Sequence, residues 1–131
     1  MNCRVISGAV LVGAVSLAIV QAAPQQADPS AGQGVFSQKC ASCHTVTPDL
    51  AHGLLGPNLV GVVGRTAGTM AGWDFSAALK ESKVTWTEEN LNKWLTDSTA
   101  FAPGAQMELK VPSRIEREDV IAYLKTLKAK Q

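Results

Sequence analysis

The sequence predicts an all-α domain, and three observations lead to that prediction. Segments with helical periodicity begin at residues that cap helices well. No alternating pattern typical of a strand continues for more than a few positions. Residues 45–72 form a glycine-rich stretch with little periodicity. Irregular stretches of this length inside a compact domain are usually functional, so we expect this loop to serve a site.

The N-terminal region has the pattern of a secretory signal peptide. Arg4 provides a positive charge, residues 5–20 are apolar, and Val20-Gln21-Ala22 is a small-residue cleavage pattern. We expect residues 1–22 to be a signal peptide that is cleaved after Ala22 or Ala23. An uncleaved membrane anchor is the alternative, although the apolar run is short for a full span.

The remaining chain divides into a flexible leader, residues 23–30, and one domain, residues 31–131. Removing Arg4 from the twelve lysines and arginines leaves eleven, which balance the eleven acidic residues. The exported chain is therefore formally neutral. Nothing in this balance suggests nucleic-acid binding, which would leave an excess of basic residues.

Four segments are predicted to be helical. Ser30 is expected to cap the first, which continues to about Lys39, and the second covers about Ser76 to Ser82. Thr87 caps the third, whose apolar face is Leu91, Trp94 and Leu95. Ser113 and Glu116 form a capping box for the last, with an apolar stripe of Ile115, Val120, Tyr123, Leu124 and Leu127.

Residues 40–44 read Cys-Ala-Ser-Cys-His, which is the C-x-x-C-H pattern of c-type haem attachment. Two thiols at this spacing can each add to one vinyl group of a haem, and the imidazole of His44 can then bind the iron. We therefore expect one haem c, covalently bound through Cys40 and Cys43. Wrapping this flat cofactor is one reason for the long loop.

The motif has three other interpretations. A thioredoxin-like redox pair expects a βαβ setting, and the flanking residues show no strand pattern. A structural zinc site needs further cysteines, yet Cys3 is expected to leave with the signal peptide. A plain disulfide is the third alternative.

A second iron ligand should come from a distant segment. Met70 and Met107 are the methionines that remain after signal cleavage, and a lone methionine is often only core filler. Met107 follows the Pro103-Gly104 turn signal, whereas Met70 lies in the glycine-rich loop. The pattern of the residues alone leaves both open.

Several motifs in order give the chain a resemblance to class I cytochromes c of the mitochondrial-like type. They are Cys40-Ala41-Ser42-Cys43-His44, Gly56-Pro57-Asn58-Leu59, Val84-Thr85-Trp86, Pro103-Gly104-Ala105-Gln106-Met107 and Asp119-Val120-Ile121-Ala122-Tyr123-Leu124. The resemblance covers about residues 31–127. It implies a cytochrome c fold, with four to five short helices and long loops wrapped around one haem.

The resemblance also implies individual roles. Met107 is similar to the axial sulfur ligand, which together with His44 would complete the iron's coordination. Pro57 resembles the proline whose carbonyl accepts a hydrogen bond from the ligand histidine. Arg65 and Trp86 resemble the pair that holds a buried haem propionate. Gly32 and Phe36 resemble residues of the first helix that cross the last helix.

The chain departs from the family pattern at several positions. Phe75 and Trp94 stand where relatives have tyrosines, and Ala105 replaces a common threonine. Thr99, Ala100 and Gln106 stand where mitochondrial proteins carry lysines around the haem edge. Electrostatic docking to an acidic partner is therefore not expected to carry over.

The implied function is that of a soluble, exported, periplasmic electron carrier that cycles between Fe(II) and Fe(III) and is not an enzyme. We expect a monomer that passes electrons between a redox protein donor and acceptor, such as a reductase, dehydrogenase or oxidase. It would meet the membrane only through those partners. The alternatives are a haem subunit of a larger membrane-associated oxidoreductase and a small haem peroxidase or gas-binding protein.

Overall fold

The computed structural model describes residues 25–128, and this part of the chain is helical. Its helices are α1 (Pro29–Lys39), α2 (Ala77–Ser82), α3 (Glu88–Thr96), α4 (Ser98–Phe101) and α5 (Arg114–Thr126). Extended pairing in this part is limited to isolated bridges between His52 and Pro57 and between Thr66 and Thr85. The all-α prediction is confirmed. The predicted signal peptide lies outside the described residues, and within residues 25–128 no helix is long and apolar enough to cross a membrane.

Helix α1 begins earlier than the sequence predicted. Its N-cap is Asp28, whose carboxylate accepts the Ser30 N–H at 2.8 Å, and Pro29 is the first helical residue. The expectation that Ser30 caps the helix was wrong, because the carboxylate before Pro29 is an equally good cap and proline suits the first helical position. The predicted leader, residues 23–30, is correspondingly too long, since Pro29 and Ser30 belong to α1.

Helices α1 and α5 cross at Gly32, as predicted. A Cβ on Gly32 would overlap the backbone carbonyl of Asp119 and lie 2.9 Å from the Cβ of Tyr123. One turn further, the rings of Phe36 and Tyr123 pack with centroids 5.8 Å apart. The Asp28 N–H also donates to Asp119 Oδ1 at 2.7 Å, which fixes the start of α1 against α5. The missing side chain at Gly32 therefore allows the two backbones to meet.

Two glycines in α1 give a matched test of this crossing. Gly32→Ala is expected to lower the free energy of unfolding by about 1–3 kcal/mol, because the new methyl group meets backbone and cannot be accommodated by a rotamer change. A Cβ on Gly34 would have no neighbour within 4 Å, so Gly34→Ala should raise stability by up to about 1 kcal/mol through helix propensity. Thermal unfolding of the two variants would contradict the crossing if both gained stability.

The last helix matches its predicted cap but only part of its predicted stripe. Ser113 Oγ accepts the Glu116 N–H at 3.3 Å, and Val120 and Leu124 are buried. The predicted inward position of Ile115 was wrong: Ile115 is 44% exposed, and Ile121 is buried instead. At the start of α5 the side chain that faces the interior is that of Arg117, because hydrogen bonds hold its guanidinium there. Its guanidinium donates to Asn92 Oδ1 at 2.8 Å and to the carbonyl oxygens of Val111 and Pro112 at 2.6 and 2.8 Å.

The short helix α4 was not predicted. Asp97 caps it by accepting the Ala100 N–H at 3.1 Å, and the same carboxylate binds Lys110 Nζ at 2.6 Å. Thr99 Oγ1 donates to it as well, at 2.8 Å. The hydrogen bond from Lys110, followed by those from Thr99 and Ala100, holds the pKa of Asp97 far below its ordinary value of 3.8.

This depressed pKa predicts a defined pH dependence. The folded protein favours the ionised Asp97, so its contribution to stability is fully present above the ordinary pKa of 3.8 and is lost as the pH falls through the lower folded pKa. Asp97→Asn should therefore be less stable than wild type at neutral pH, and the difference should shrink as the pH falls below about 4. A difference in melting temperature that persists unchanged in strong acid would contradict this account.

Candidate functional site

A cavity of about 350 Å³ lies between the long loop and the helices, with a mostly apolar lining. The residues predicted for the site all line it: Cys40, Cys43, His44, Pro57, Arg65, Trp86 and Met107. They come from sequence positions as far apart as the end of α1 and the segment before α5. The fold thus brings the predicted residues to one place. Met70 is not among the residues that line this cavity.

The motif residues form a turn directly after α1. Cys40 is the C-cap of the helix, with its N–H donated to Phe36 O at 2.8 Å. The N–H groups of Cys43 and His44 then both donate to Cys40 O, at 3.0 and 2.9 Å. This tight turn brings Cys40, Cys43 and His44 to the same cavity. Burial, followed by the neighbouring Cys43, raises the pKa of the Cys40 thiol to about 11.

The imidazole of His44 is held in one orientation and one tautomer. Its Nδ1 lies 2.8 Å from the carbonyl oxygen of Pro57. Because a carbonyl can only accept, Nδ1 carries the proton and Nε2 keeps a free lone pair. Burial lowers the pKa of His44, and the hydrogen bond to Pro57 opposes this shift only in part. The ring is therefore a neutral imidazole with one nitrogen available to a metal.

Gly56 allows the loop to pass against this imidazole. A Cβ at Gly56 would lie 2.6 Å from His44 Nδ1 and 3.0 Å from Nε2, and it would be nearer still to Cε1. Any side chain at position 56 would thus displace the ring. The adjacent Pro57 carbonyl can reach Nδ1 because glycine precedes it.

Asn58 organises the loop that carries Pro57, a role that the sequence analysis did not identify. This buried side chain donates from Nδ2 to the carbonyl oxygens of Thr47 and Leu50 at 2.7 and 2.5 Å, and Oδ1 accepts the Val60 N–H at 2.8 Å. The backbone of an irregular segment has few backbone hydrogen-bond partners. A buried amide side chain can therefore supply the hydrogen bonds that a helix or sheet would otherwise provide. Asparagine directly after a Gly-Pro pair was the available signal.

Arg65 places a half-buried positive charge in the cavity wall. Its Nη1 and Nη2 donate to the carbonyl oxygens of Val60 and Asn58, each at 3.2 Å. Burial lowers the pKa of Arg65, but a guanidinium stays charged at neutral pH. Both of these acceptors are neutral, so the site offers a favourable position for an anion.

The aromatic side chains of Trp86 and Trp94 belong to residues that line the cavity together with Met107. The rings of Trp86, Trp94 and Phe101 contact one another, with centroids 5.4 to 6.0 Å apart. Phe75 and Trp94, which replace the tyrosines expected from the resemblance, also line the cavity.

The surface positions Thr99, Ala100 and Gln106 are exposed and uncharged. Leu55 lines the cavity while 68% exposed, so it lies at the opening, next to Leu54, which is 81% exposed.

The residues that line the cavity fit a haem. An imidazole nitrogen with a free lone pair and a thioether sulfur are both accepted iron ligands, and two thiols at the C-x-x-C spacing can bind the porphyrin covalently. The apolar lining suits a macrocycle, and the guanidinium suits a carboxylate. No group of three or more histidine, cysteine, aspartate or glutamate side chains placed to hold a metal ion by itself occurs within residues 25–128.

Comparison with known proteins gives a consistent result. Residues 29–128 match the sequence profile of the family described as cytochrome c. Cytochrome c of Guizotia abyssinica is 44% identical over 101 residues, which cover 75% of this chain and 88% of that protein. Cytochrome c2 iso-1 of Rhodospirillum centenum is 43% identical over 119 residues, covering 78% of this chain and 98% of that protein.

A solved structure supports the same assignment. Cytochrome cH from Methylobacterium extorquens superposes with a TM-score of 0.69 at 39% identity, covering 76% of this chain and 98% of that chain. The cytochrome c fold predicted from the resemblance is confirmed. The chain belongs to the cytochrome c family, and it is an electron-transfer protein with one covalently attached haem c and its iron.

Proposed function

We propose that this chain is an exported electron carrier, in which Cys40 and Cys43 would hold the haem covalently and His44 and Met107 would bind its iron. One observation carries the proposal: Cys40, Cys43, Met107 and His44, whose imidazole is fixed by Pro57, all line one apolar cavity. Because both axial positions would be filled by protein side chains, no position is left for a substrate. This favours electron transfer over a peroxidase or gas-binding function, which needs an open sixth site.

When bound, the haem supplies an iron that alternates between Fe(II) and Fe(III). Pro57 holds the imidazole of His44 in the tautomer and orientation that present Nε2 to the metal. Met107 would provide a soft sulfur ligand, which favours the reduced metal and so would raise the reduction potential. The buried side chains of Trp86, Trp94 and Leu95 would exclude water from the haem, and this exclusion of solvent also influences the reduction potential.

We further propose that Arg65 and Trp86 hold a haem propionate. The guanidinium of Arg65 is half-buried against neutral carbonyls, so a carboxylate nearby would compensate its charge. Trp86 is 8% exposed and lines the same cavity, and an indole N–H is a hydrogen-bond donor.

Trp86→Phe tests the Trp86 part of this assignment. It removes the indole N–H while keeping an aromatic ring, so we expect a stability loss of about 1–3 kcal/mol and a shifted reduction potential, because a buried carboxylate loses a donor. Thermal unfolding and a redox titration of the holoprotein measure the two effects. A potential and a melting temperature both equal to those of wild type would remove Trp86 from the propionate site.

We propose a periplasmic location and redox protein partners on both the donor and the acceptor side. The N-terminal signal pattern supports export. The uncharged positions 99, 100 and 106 and the exposed leucines at the cavity opening support docking that depends little on ionic strength.

Four measurements test the whole proposal: the protein mass, an acid–acetone extraction, a redox titration and the ferric absorption spectrum. The mass of the exported protein should equal the polypeptide without residues 1–22 or 1–23 plus one haem, and the colour should stay with the protein after acid–acetone extraction. A redox titration should then show one reversible one-electron step. Free haem in the organic layer, or a high-spin ferric spectrum typical of an open axial site, would contradict the proposal and favour the peroxidase or gas-binding alternative.

A further inference from the structure

Ser98 makes an unusually complete set of contacts with the segment that carries Met107. The residue has no solvent exposure. Its hydroxyl lies 2.6 Å from the carbonyl oxygen of Met107, and the Leu109 N–H donates to Ser98 Oγ at 3.0 Å. The Ser98 N–H in turn donates to the carbonyl oxygen of Leu109 at 3.3 Å. The hydroxyl has a single hydrogen to donate. Its nearer acceptor is the Met107 carbonyl oxygen, because the Leu109 carbonyl oxygen lies 3.2 Å from Ser98 Oγ.

The neighbouring residues extend this contact on both sides. Asp97 binds Lys110 Nζ at 2.6 Å, and the Val111 N–H donates to Leu95 O at 2.8 Å. These contacts fix Leu109, Lys110 and Val111 to the end of α3 and the start of α4. Within this set, the Ser98 hydroxyl is the group that contacts the backbone of Met107 itself.

We propose that Ser98 is a positioning residue for the axial ligand: its hydroxyl clamps the Met107 backbone so that the thioether remains on the iron. This inference rests on the proposed role of Met107. We call the contacts among Ser98, Met107 and Leu109 the Ser98 clamp. Ferric iron holds a soft thioether less tightly than ferrous iron. The clamp should therefore matter most in the oxidised protein, where an added ligand can compete with Met107.

The clamp predicts how readily an external ligand displaces Met107. Removing the hydroxyl leaves the Leu109 N–H and the Met107 carbonyl without this partner, which destabilises the closed loop. A larger fraction of the molecules then has the segment around Met107 open. Because the apparent affinity of an added ligand scales with the fraction of open molecules, imidazole should bind ferric Ser98→Ala about tenfold more tightly than wild type, which corresponds to about 1.4 kcal/mol.

Two further variants separate positioning from general stability. Thr96→Ala removes a hydroxyl that donates to Asn92 O at 2.7 Å on the exposed side of α3, two residues from Ser98 but outside the clamp. It should bind imidazole as wild type does. Ser98→Thr keeps a hydroxyl and should restore near-wild-type affinity.

The experiment is an imidazole titration of the ferric holoproteins with thermal unfolding measured in parallel. A lower melting temperature with unchanged imidazole affinity in Ser98→Ala would overturn the proposal, and so would equal effects of Ser98→Ala and Ser98→Thr. If wild type itself lacks the thioether-to-iron absorption band, the proposed ligation fails instead, which distinguishes the two failures.

If Ser98→Ala does not yield holoprotein, amide hydrogen exchange of the wild type decides. The Leu109 N–H, bound to the Ser98 hydroxyl, should lose protection when saturating imidazole displaces Met107 from ferric iron. Unchanged protection at Leu109 would show that Met107 leaves without opening the clamp, and the proposal would be wrong.

Discussion

Replacing Met107 with alanine is expected to lower the reduction potential and to abolish the thioether-to-iron absorption band of the ferric protein. The side chain lines the cavity that also holds His44, so its loss vacates one axial position and admits water or an added small ligand. The potential falls because the sulfur's preference for Fe(II) is lost. Spectra of the ferric variant with and without added imidazole measure the open site.

Met70→Ala is the matched control, because it removes the same side chain from a residue that does not line the cavity. The ferric spectrum should stay low-spin and the potential should remain close to that of wild type. If the Met70 variant lost the absorption band and the Met107 variant kept it, the ligand assignment would be wrong, and with it the role given to the Ser98 clamp.

Gly56→Ala is expected to be severely destabilising. The new methyl group would overlap the imidazole of His44, which cannot move without breaking its hydrogen bond to Pro57. Overpacking of this kind costs about 1–3 kcal/mol and occasionally more, and here the displaced group is the proposed iron ligand. We expect little mature holoprotein, and a melting temperature well below that of wild type for any that forms.

Gly34→Ala provides the control for this substitution, since it adds the same methyl group to open space. The yield of holoprotein after export, read from haem absorbance per mass of polypeptide, compares the two. A Gly56→Ala protein with wild-type yield and stability would show that the imidazole and the loop do not pack as described.

The sequence predicted the parts of this fold that depend on local patterns. The cap at Thr87 and the buried face of α3 follow from residues within one or two turns of each other, and the structure shows both. Helix α4 was missed because four residues are too few to show a period. Ile115 was placed inward because periodicity gives the helix face but not where along α5 the neighbouring elements end.

The candidate site was predicted in a different way. The C-x-x-C-H spacing pointed to haem attachment directly, whereas Met107, Pro57, Arg65 and Trp86 came from the family resemblance. Of the polar residues that support these groups, Asn58 had one signal in the sequence, its place directly after Gly56-Pro57, whereas Ser98 and Arg117 had none. Asn58, Ser98 and Arg117 are buried through hydrogen bonds to backbone carbonyls. Such acceptors exist at every residue, so no side-chain pattern identifies them.

The absorption spectrum of the ferric, exported wild-type protein tests the central claim most directly. Axial binding by His44 and Met107 predicts a low-spin ferric haem with a thioether-to-iron charge-transfer band, which added imidazole should remove only by displacing Met107. A high-spin spectrum without that band, in a protein whose haem is covalently bound, would contradict the claim that the thioether lining the cavity is the second iron ligand.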